Sequence, residues 1–278
     1  FKMKNFISVD QLKKNLNDVV VLDIRLDLHD PEYGQRVYNE NHIVGSFFID
    51  LNKDLAGEKK IHGGSRPLPK IDEFIKKIEK IGITKDSSIV VYDEDIVAAA
   101  RAFWMFKYIG HKDIKILDGG YKEWLKKDGP ITEEKPLFPK KSNYSFELEK
   151  DIYVDIKDVK KAIEDKDISL VECRSYERYL GLNEPFYSKP GHIPTALSID
   201  SKSLLKEDGK VRSVEELKEI FKRLEKYNEV IFSCGSAVNA SLDYTIYSEF
   251  FPNGKVYIGS YSDWISYPEN PIEIKDEN

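Results

Sequence analysis

The sequence of 278 residues is long enough for about two domains with buried cores, and its 41% apolar and 33% charged residues exclude a disordered chain. No apolar run reaches the ~20 residues of a membrane-spanning helix, and a net charge of −6 without a basic stripe argues against nucleic-acid binding. Two cysteines exclude a disulfide scaffold and a four-cysteine zinc or iron–sulfur site, and five scattered histidines offer little for a histidine-based metal centre, so we expect no metal and no cofactor.

The first half of the chain alternates short apolar runs with amphipathic stretches. It opens with Phe1-Lys-Met-Lys, which is too polar for a secretory signal and favours a cytoplasmic protein. Ser8 is a predicted helix N-cap. Residues 71–81 carry apolar side chains at helical spacing, 89–92 predict a strand buried on both faces, and 97–109 predict an apolar interior helix.

The second half repeats this alternation after a segment of weak periodicity. Residues 126–151 are rich in Lys, Pro and Glu and predict a linker. Ser213 is a predicted N-cap of a helix over 214–224, and a buried strand ends just before Cys234. Strands that alternate with helices predict an α/β fold, with mainly parallel sheets flanked by helices.

Four sequence patterns occur twice in the same order, which indicates an internal duplication. The pairs are DVVVLDIR (18–25) and ISLVECR (168–174), NHIVGS (41–46) and GHIPTA (191–196), SIVVYD (88–93) and VIFSC (230–234), and DGGYKEW (118–124) and IGSYSDW (258–264). Their offsets are 149, 150, 141 and 140 residues. The sequence therefore predicts two copies of one domain, at 1–130 and 151–278, joined by a linker at 131–150.

The segment that follows the strand before Cys234 has the composition of a ligand-binding loop. It reads Cys-Gly-Ser-Ala-Val-Asn-Ala and leads into a helix predicted to begin near Val238. If the loop curls around Cys234, the amides of Gly235 to Ala240 and the helix N-terminus favour the thiolate, with a pKa of about 3.5–7.5. The alternative is that Cys234 is a small buried apolar residue at a strand end.

The duplicated halves resemble two rhodanese domains in tandem. The loop CGSAVNA is similar to the CGSGVTA loop of the 3-mercaptopyruvate sulfurtransferases, within the family that also contains the thiosulfate sulfurtransferases. The segments VECRSYERYLG and GHIPTA before the loop, and GSYSDW after it, resemble the same family. The likeness covers nearly the whole chain.

The resemblance implies a reaction and the residues that perform it. Cys234 is implied to be the nucleophile, which takes sulfur from 3-mercaptopyruvate as a persulfide and passes it to cyanide or to a thiol such as thioredoxin. The family's proposed proton relay falls on Ser236 and His42, with Asp30 as the candidate acid, and its donor-binding arginine falls on Arg178. The donor-binding loop falls on Gly235, Ala237, Val238, Asn239 and Ala240.

The alignment of the two halves and the family pattern also predict roles for three further residues. Asp93 stands where the second half has Cys234, and because a carboxylate cannot carry sulfur, the first domain is predicted to be inert. Arg174 is expected to form a structural ion pair with Glu172 or to bind a loop carbonyl. Cys173 stands where the family has a small apolar residue, as a buried thiol or as a redox partner of Cys234.

Departures from the family pattern bear on the choice of donor. Phe186 replaces an arginine that commonly follows the Glu-Pro dipeptide, Ala237 replaces a glycine, and Asn239 replaces a threonine. Gly235 and Ser236 stand where thiosulfate-preferring relatives have Arg and Lys, which favours 3-mercaptopyruvate. Thiosulfate:cyanide sulfurtransferase activity and a non-catalytic rhodanese-like binding module remain the alternatives. A phosphatase is a weaker one, because the loop lacks a phosphate-binding arginine.

Overall fold

The structure, a computed structural model, describes residues 3–278, and its contacts divide the chain into two units. The first unit comprises the chain up to residue 57, residues 68–149 and residues 207–211. The second comprises residues 58–67, 150–206 and 212–278. The units differ from the two contiguous predicted domains because two short segments, 58–67 and 207–211, each pack within the unit formed by the other half of the sequence.

The first unit contains strands and helices in alternation. Its strands are β1 (Phe6–Ile7), β2 (Val20–Asp23), β3 (His42–Ile43), β4 (Phe47–Phe48), β5 (Ile89–Tyr92), β6 (Ile114–Leu117) and β7 (Ile131–Thr132). Its helices are α1 (Val9–Asn15), α2 (Tyr33–Glu40), α3 (Leu51–Asp54), α4 (Ile71–Lys80), α5 (Val97–Tyr108) and α6 (Gly120–Lys126). Five strands form a parallel sheet in the order β1-β6-β5-β2-β4, and β3 pairs with β7 in an antiparallel ribbon.

The second unit repeats this arrangement. Its strands are β8 (Tyr153–Val154), β9 (Ile168–Glu172), β10 (Leu197–Ser198), β11 (Glu229–Ser233) and β12 (Gly254–Tyr257). Its helices are α7 (Ile156–Glu164), α8 (Tyr176–Tyr179), α9 (Val214–Phe221), α10 (Val238–Tyr247) and α11 (Ser260–Trp264). All strand pairs are parallel, in the order β8-β12-β11-β9-β10, which is the order of the first sheet. The predicted duplicated α/β fold with parallel sheets is confirmed.

Part of the core of each unit lies between its sheet and an apolar helix, and another part packs with α1 and α6 in the first unit and with α7 and α11 in the second. β5 is buried at all four positions, and ten of the twelve residues of α5 are buried, as the continuous apolar runs predict. In the second unit α10 takes the same place and is buried at nine of its ten positions. No helix in residues 3–278 combines the length and hydropathy needed to span a membrane.

The helix starts follow from local side-chain chemistry. The Ser8 hydroxyl accepts the amide of Gln11, whose side chain accepts the amide of Ser8 in return, so α1 begins with a capping box. The Ser213 side chain accepts the amide of Glu216 at the start of α9. Both predicted N-caps are confirmed.

The segment predicted as a linker lies against the first unit. Ile131–Thr132 pairs with His42–Ile43, and the Tyr144 hydroxyl lies 2.6 Å from Nδ1 of buried His111. The amide of Glu147 donates to the carbonyl of Ile109. The abundant Lys, Pro and Glu residues are mostly exposed to solvent, whereas a few buried residues such as Tyr144 hold the segment in place.

Candidate active site

Cys234 follows the last residue of β11, at the carboxyl edge of the second sheet, where parallel α/β sheets bind ligands. Its amide donates to Ser260 Oγ over 3.2 Å, and its carbonyl accepts the amide of Tyr261 over 2.8 Å. The carbonyl of Gly235 accepts the amide of Ser262. These bonds fix the start of the loop on α11.

The loop after Cys234 turns its amides towards the sulfur. The amide nitrogen of Ala240 donates to Cys234 Sγ over 3.4 Å, and the amides of Ser236 and Ala237 are close enough to lower the pKa of the thiol. Ala237 adopts the left-handed conformation with φ 63°, a conformation that glycine adopts without strain. α10 begins at the next residue, Val238, so the sulfur lies at the N-terminus of a ten-residue helix.

The pKa of Cys234 does not follow the sequence prediction. The three amides lower it, but burial raises it by more, and the nearby charge of Glu172 adds to the increase. Because the residue is only 3% exposed, the thiolate loses most of its hydration. The prediction of a lowered pKa is wrong, although the amides that motivated it are present.

Ser236 is contacted by an arginine that the sequence analysis did not single out. Arg66 Nη1 donates to Ser236 Oγ over 2.9 Å. Burial lowers the pKa of Arg66, and negative charge on Tyr187 or Cys234 raises it, so the guanidinium lies within electrostatic reach of the sulfur. The signal in the sequence is the pair Gly63-Gly64 just before Arg66.

Residues 58–67, here called the arginine segment, are held on α11. The amide of Gly63 donates to Asp263 Oδ1 over 2.8 Å, and the amide of Ser65 donates to Ser262 Oγ over 2.9 Å. Gly64 has φ +88°, and a Cβ there would lie 2.3 Å from the carbonyl oxygen of Gly259. Only glycine therefore allows the segment to approach α11 this closely.

Tyr187 is a second site residue that the sequence analysis missed. Its hydroxyl covers Gly235 so closely that a Cβ on that glycine would lie 2.6 Å from it. Burial raises the pKa of Tyr187, as does negative charge on Cys234, whereas a hydrogen bond with the Ser65 side chain lowers it. Tyr187 therefore contacts both the arginine segment and the loop of residues 234–240, here called the sulfur loop.

Arg178 lies beside Tyr187 and is paired with a carboxylate. Its Nε and Nη2 donate to the two oxygens of Glu184 over 2.9 and 3.1 Å. The guanidinium carbon lies 5.1 Å from the ring centroid of Phe186 and 5.6 Å from that of Tyr187. The predicted donor-binding arginine is thus oriented by Glu184, with its side chain 19% exposed.

Arg174 forms the structural pair that the sequence predicts. Its Nε lies 2.8 Å from Glu172 Oε1, its Nη2 donates to the carbonyl of Gly191, and its Nη1 donates to Glu184. The guanidinium also lies 4.0 Å from the ring centroid of Tyr261. Because Arg174 and Arg178 share Glu184, a change at either arginine reaches the other.

The first unit holds the other two members of the predicted relay. His42 is fully buried, with Nδ1 2.7 Å from the carbonyl of Tyr38 and Nε2 2.9 Å from that of Glu134. Asp30 is partly exposed and pairs with Arg36 over 2.8 Å, which lowers the pKa of its carboxyl. Within residues 3–278 no hydrogen bond joins Asp30 to His42, so the relay stays a prediction.

Asp93 occupies the position in the first unit that Cys234 occupies in the second. Its Oδ1 accepts the amides of Glu94 and Leu26, and its Oδ2 accepts the amide of Ala98 over 2.9 Å. Burial raises the pKa of this carboxyl well above its usual range, as does the charge of Asp95. Three backbone amides therefore bind this carboxyl group, two of them from the segment that follows it, whereas a different set of loop amides faces the sulfur in the second unit.

Two further predicted residues, Asn239 and Cys173, contact Ser201 through their carbonyl groups. The carbonyl of Asn239 accepts the hydroxyl of Ser201, which also donates to Asp243. Cys173 is fully buried just after β9, its Sγ–H donates to the carbonyl of Val171 over 3.7 Å, and burial raises its pKa well above the ordinary value. Both cysteines are free thiols.

Comparison with known proteins identifies the family. A family model of the rhodanese-like domain matches residues 8–127 and 155–267. The chain is 33% identical over 280 residues to the probable 3-mercaptopyruvate sulfurtransferase of Pseudomonas aeruginosa, across 97% of this chain and 98% of that protein. It is 31% identical over 241 residues to the thiosulfate sulfurtransferase of Cricetulus griseus, across 83% of this chain and 79% of that protein.

A solved structure shows the same fold. The 3-mercaptopyruvate sulfurtransferase from Leishmania major superposes with a TM-score of 0.84 at 23% identity, over 97% of this chain and 76% of that one. Both family matches fall on the repeated sheets, and the relatives in both sequence comparisons carry sulfurtransferase names. The chain therefore belongs to the rhodanese family and is a sulfurtransferase.

Proposed function

We propose that the protein moves sulfane sulfur from 3-mercaptopyruvate to cyanide or to a thiol through a persulfide on Cys234. The observation that carries the proposal is the position of Cys234 Sγ, which the amides of Ser236, Ala237 and Ala240 face. Such amides stabilise negative charge on the outer atom of a persulfide without reorganising during the reaction. A thiol acceptor such as thioredoxin, and a cytoplasmic site of action, belong to the same proposal.

The reaction divides into two displacements at sulfur. Cys234 Sγ attacks the sulfur of 3-mercaptopyruvate, an S–S bond forms, and the C–S bond of the donor breaks. The electron pair of that bond goes to the carbon, which takes up a proton and leaves as pyruvate. Cyanide or a thiolate then attacks the outer sulfur, and the S–S electron pair returns to Cys234 as the thiolate. Ping-pong kinetics are expected.

The neighbouring side chains support this chemistry by position and by exclusion of water. Burial keeps the sulfur away from bulk solvent, which protects the persulfide from competing reactions. Ser236, two residues from the nucleophile, belongs to the proposal as a residue that hydrogen-bonds a donor oxygen. Proton transfer through Ser236, His42 and Asp30, as the family resemblance implies, is part of the proposal and is tested by His42→Gln.

A thiosulfate:cyanide activity is the second candidate. The 31% identity to a thiosulfate sulfurtransferase favours it, as does Phe186 in place of a carboxylate-binding arginine. The ratio of kcat/KM for 3-mercaptopyruvate to that for thiosulfate, measured on one preparation, decides between the two donors. A ratio above one supports the first proposal, and a ratio well below one supports the second.

Substitution of the nucleophile tests the proposal as a whole. Cys234→Ser should remove thiocyanate formation from either donor and the mass increase of one sulfur atom after incubation with donor. Cys173→Ser is the matched control, because it alters the other cysteine and should keep both signals. Thiocyanate formation that survives Cys234→Ser contradicts the mechanism, and a wild-type chain that forms no persulfide supports a binding module instead.

A further inference from the structure

We propose that Arg66 binds the anionic group of the sulfur donor and thereby selects donors that carry a carboxylate or sulfonate next to the transferable sulfur. The inference rests on the proposed function, since it names a residue that binds the donor. The observation that carries it is the 2.9 Å contact between Arg66 Nη1 and Ser236 Oγ, two residues from Cys234.

The chemistry of the guanidinium suits this role. Its donors form a planar fork that matches the two oxygens of a carboxylate or sulfonate. The contact that places Arg66 at the loop is made to the hydroxyl of Ser236, two residues from the nucleophile. Burial lowers the pKa of Arg66 and negative charge at Cys234 opposes this shift, so the guanidinium lies within electrostatic range of the sulfur.

The other arginine near the loop is less suited to bind a donor alone. Arg178 already donates two hydrogen bonds to Glu184, which also accepts from Arg174. A donor anion at Arg178 must therefore compete with a carboxylate that is 2% exposed and held by two arginines. Arg178 serves better to orient Glu184 and to cover Tyr187 than to supply the main positive charge.

The arginine segment is built so that Arg66 is held in position. Gly63 and Ser65 donate backbone hydrogen bonds to Asp263 and Ser262 of α11, the helix that also anchors the start of the sulfur loop. The close approach of Gly64 to Gly259 adds packing contact. The guanidinium and the sulfur are therefore fixed to the same helix, and little entropy is lost when a donor binds between them.

Substitution of Arg66 separates donor binding from chemistry. Arg66→Ala should raise the donor KM about 10- to 100-fold, as expected for loss of a charged hydrogen bond, and change kcat less than about threefold. Arg66→Lys should restore part of the loss. Arg212→Ala is the matched control, because Arg212 is a surface arginine of the same unit paired with Glu216, and its donor KM should stay unchanged.

The pattern of the results decides the proposal and its donor. A KM raised for both 3-mercaptopyruvate and thiosulfate supports an anion site shared by the two, and a KM raised for one of them names that donor. A KM for Arg66→Ala within twofold of the wild-type value for both donors overturns the proposal. The midpoint of thermal unfolding, measured on each variant, shows that the compared chains are folded.

A protection experiment keeps this proposal distinct from the sulfur-transfer proposal. Pyruvate and sulfate serve as unreactive anions, and the measured quantity is the rate at which iodoacetamide alkylates Cys234 in the Cys173→Ser background. Both anions should slow alkylation in the chain with Arg66 and in Arg212→Ala, but not in Arg66→Ala. Protection that requires Arg66 supports the anion site even if no donor forms a persulfide. Equal protection with and without Arg66, or none at all, overturns it.

Discussion

The sulfur of Cys234 is subject to two opposing effects. Backbone amides of Ser236, Ala237 and Ala240 favour the thiolate, while burial and the charge of Glu172 favour the thiol. The amides come from the loop itself and follow from local sequence, whereas the loss of hydration depends on everything packed around the loop. The balance favours the thiol, and the proton leaves when a donor or reagent reacts.

The pH dependence of alkylation tests this balance. Because burial raises the pKa of Cys234 above its ordinary value, the thiol form predominates at pH 7. Raising the pH removes the proton, so the alkylation rate of Cys173→Ser protein should rise about tenfold per pH unit from 7 to 9. A rate that levels off below pH 8 contradicts the structure and supports the lowered pKa that the loop sequence suggests.

Contacts between residues close in the sequence could be predicted, and distant ones could not. The ion pair of Arg174 with Glu172 could be predicted because the two residues lie close together at the end of β9. The Ser8 N-cap could be predicted because Ser8 directly precedes α1. The contact of Arg66 with Ser236 joins residues 170 positions apart, and no periodicity links them. Only the packing of the arginine segment on α11 reveals it.

At the scale of elements, the arginine segment offers a test with an internal control. Gly64→Ala adds a methyl group that would meet the carbonyl of Gly259 at 2.3 Å, so the segment must move and carry Arg66 away from Ser236. Gly63→Ala has the same strain of a positive φ, but its methyl group would meet its nearest neighbour, Pro67, at 3.9 Å.

The two glycine variants should therefore differ in activity more than in stability. Gly64→Ala should raise the donor KM at least about fivefold relative to Gly63→Ala, while both lose about 1–2 kcal/mol of unfolding free energy from backbone strain. Steady-state kinetics and denaturant unfolding measure the two quantities. Equal donor KM values in the two variants show that the position of the segment does not matter to donor binding.

Elements with continuous apolar or amphipathic patterns could be predicted from sequence, but packed irregular segments could not. α5 matches the prediction within one residue, and the predicted helix over 214–224 ends at Phe221 and continues as a 3₁₀ turn over Lys222–Leu224. Residues 131–149 have the polar composition of a linker. Their contacts with the first unit depend on a few residues, such as Tyr144, that composition does not distinguish.

At the scale of the whole molecule, each unit includes a short segment from the other half of the sequence. A fragment of residues 150–278 contains the sulfur loop but lacks the arginine segment. Its kcat/KM for the donor should be at least about tenfold below that of the full chain, because Arg66 and the contacts of Gly63 and Ser65 are missing. A fragment as active as the full chain contradicts the proposed roles of Arg66 in donor binding and of His42 in proton transfer.

The carboxyl group of Asp93 bears on which solutes the first repeat can accept. Its two oxygens already receive the peptide N–H groups of Leu26, Glu94 and Ala98. A sulfate or phosphate ion from solvent would have to displace the Asp93 carboxyl group from these amides. The carboxyl group is covalently part of the chain and would then remain buried without hydrogen-bond partners. The first repeat therefore excludes oxyanions from solvent, because the Asp93 carboxyl group already occupies their binding position. The same carboxyl group binds the loop amides, so the loop keeps its shape without a bound solute.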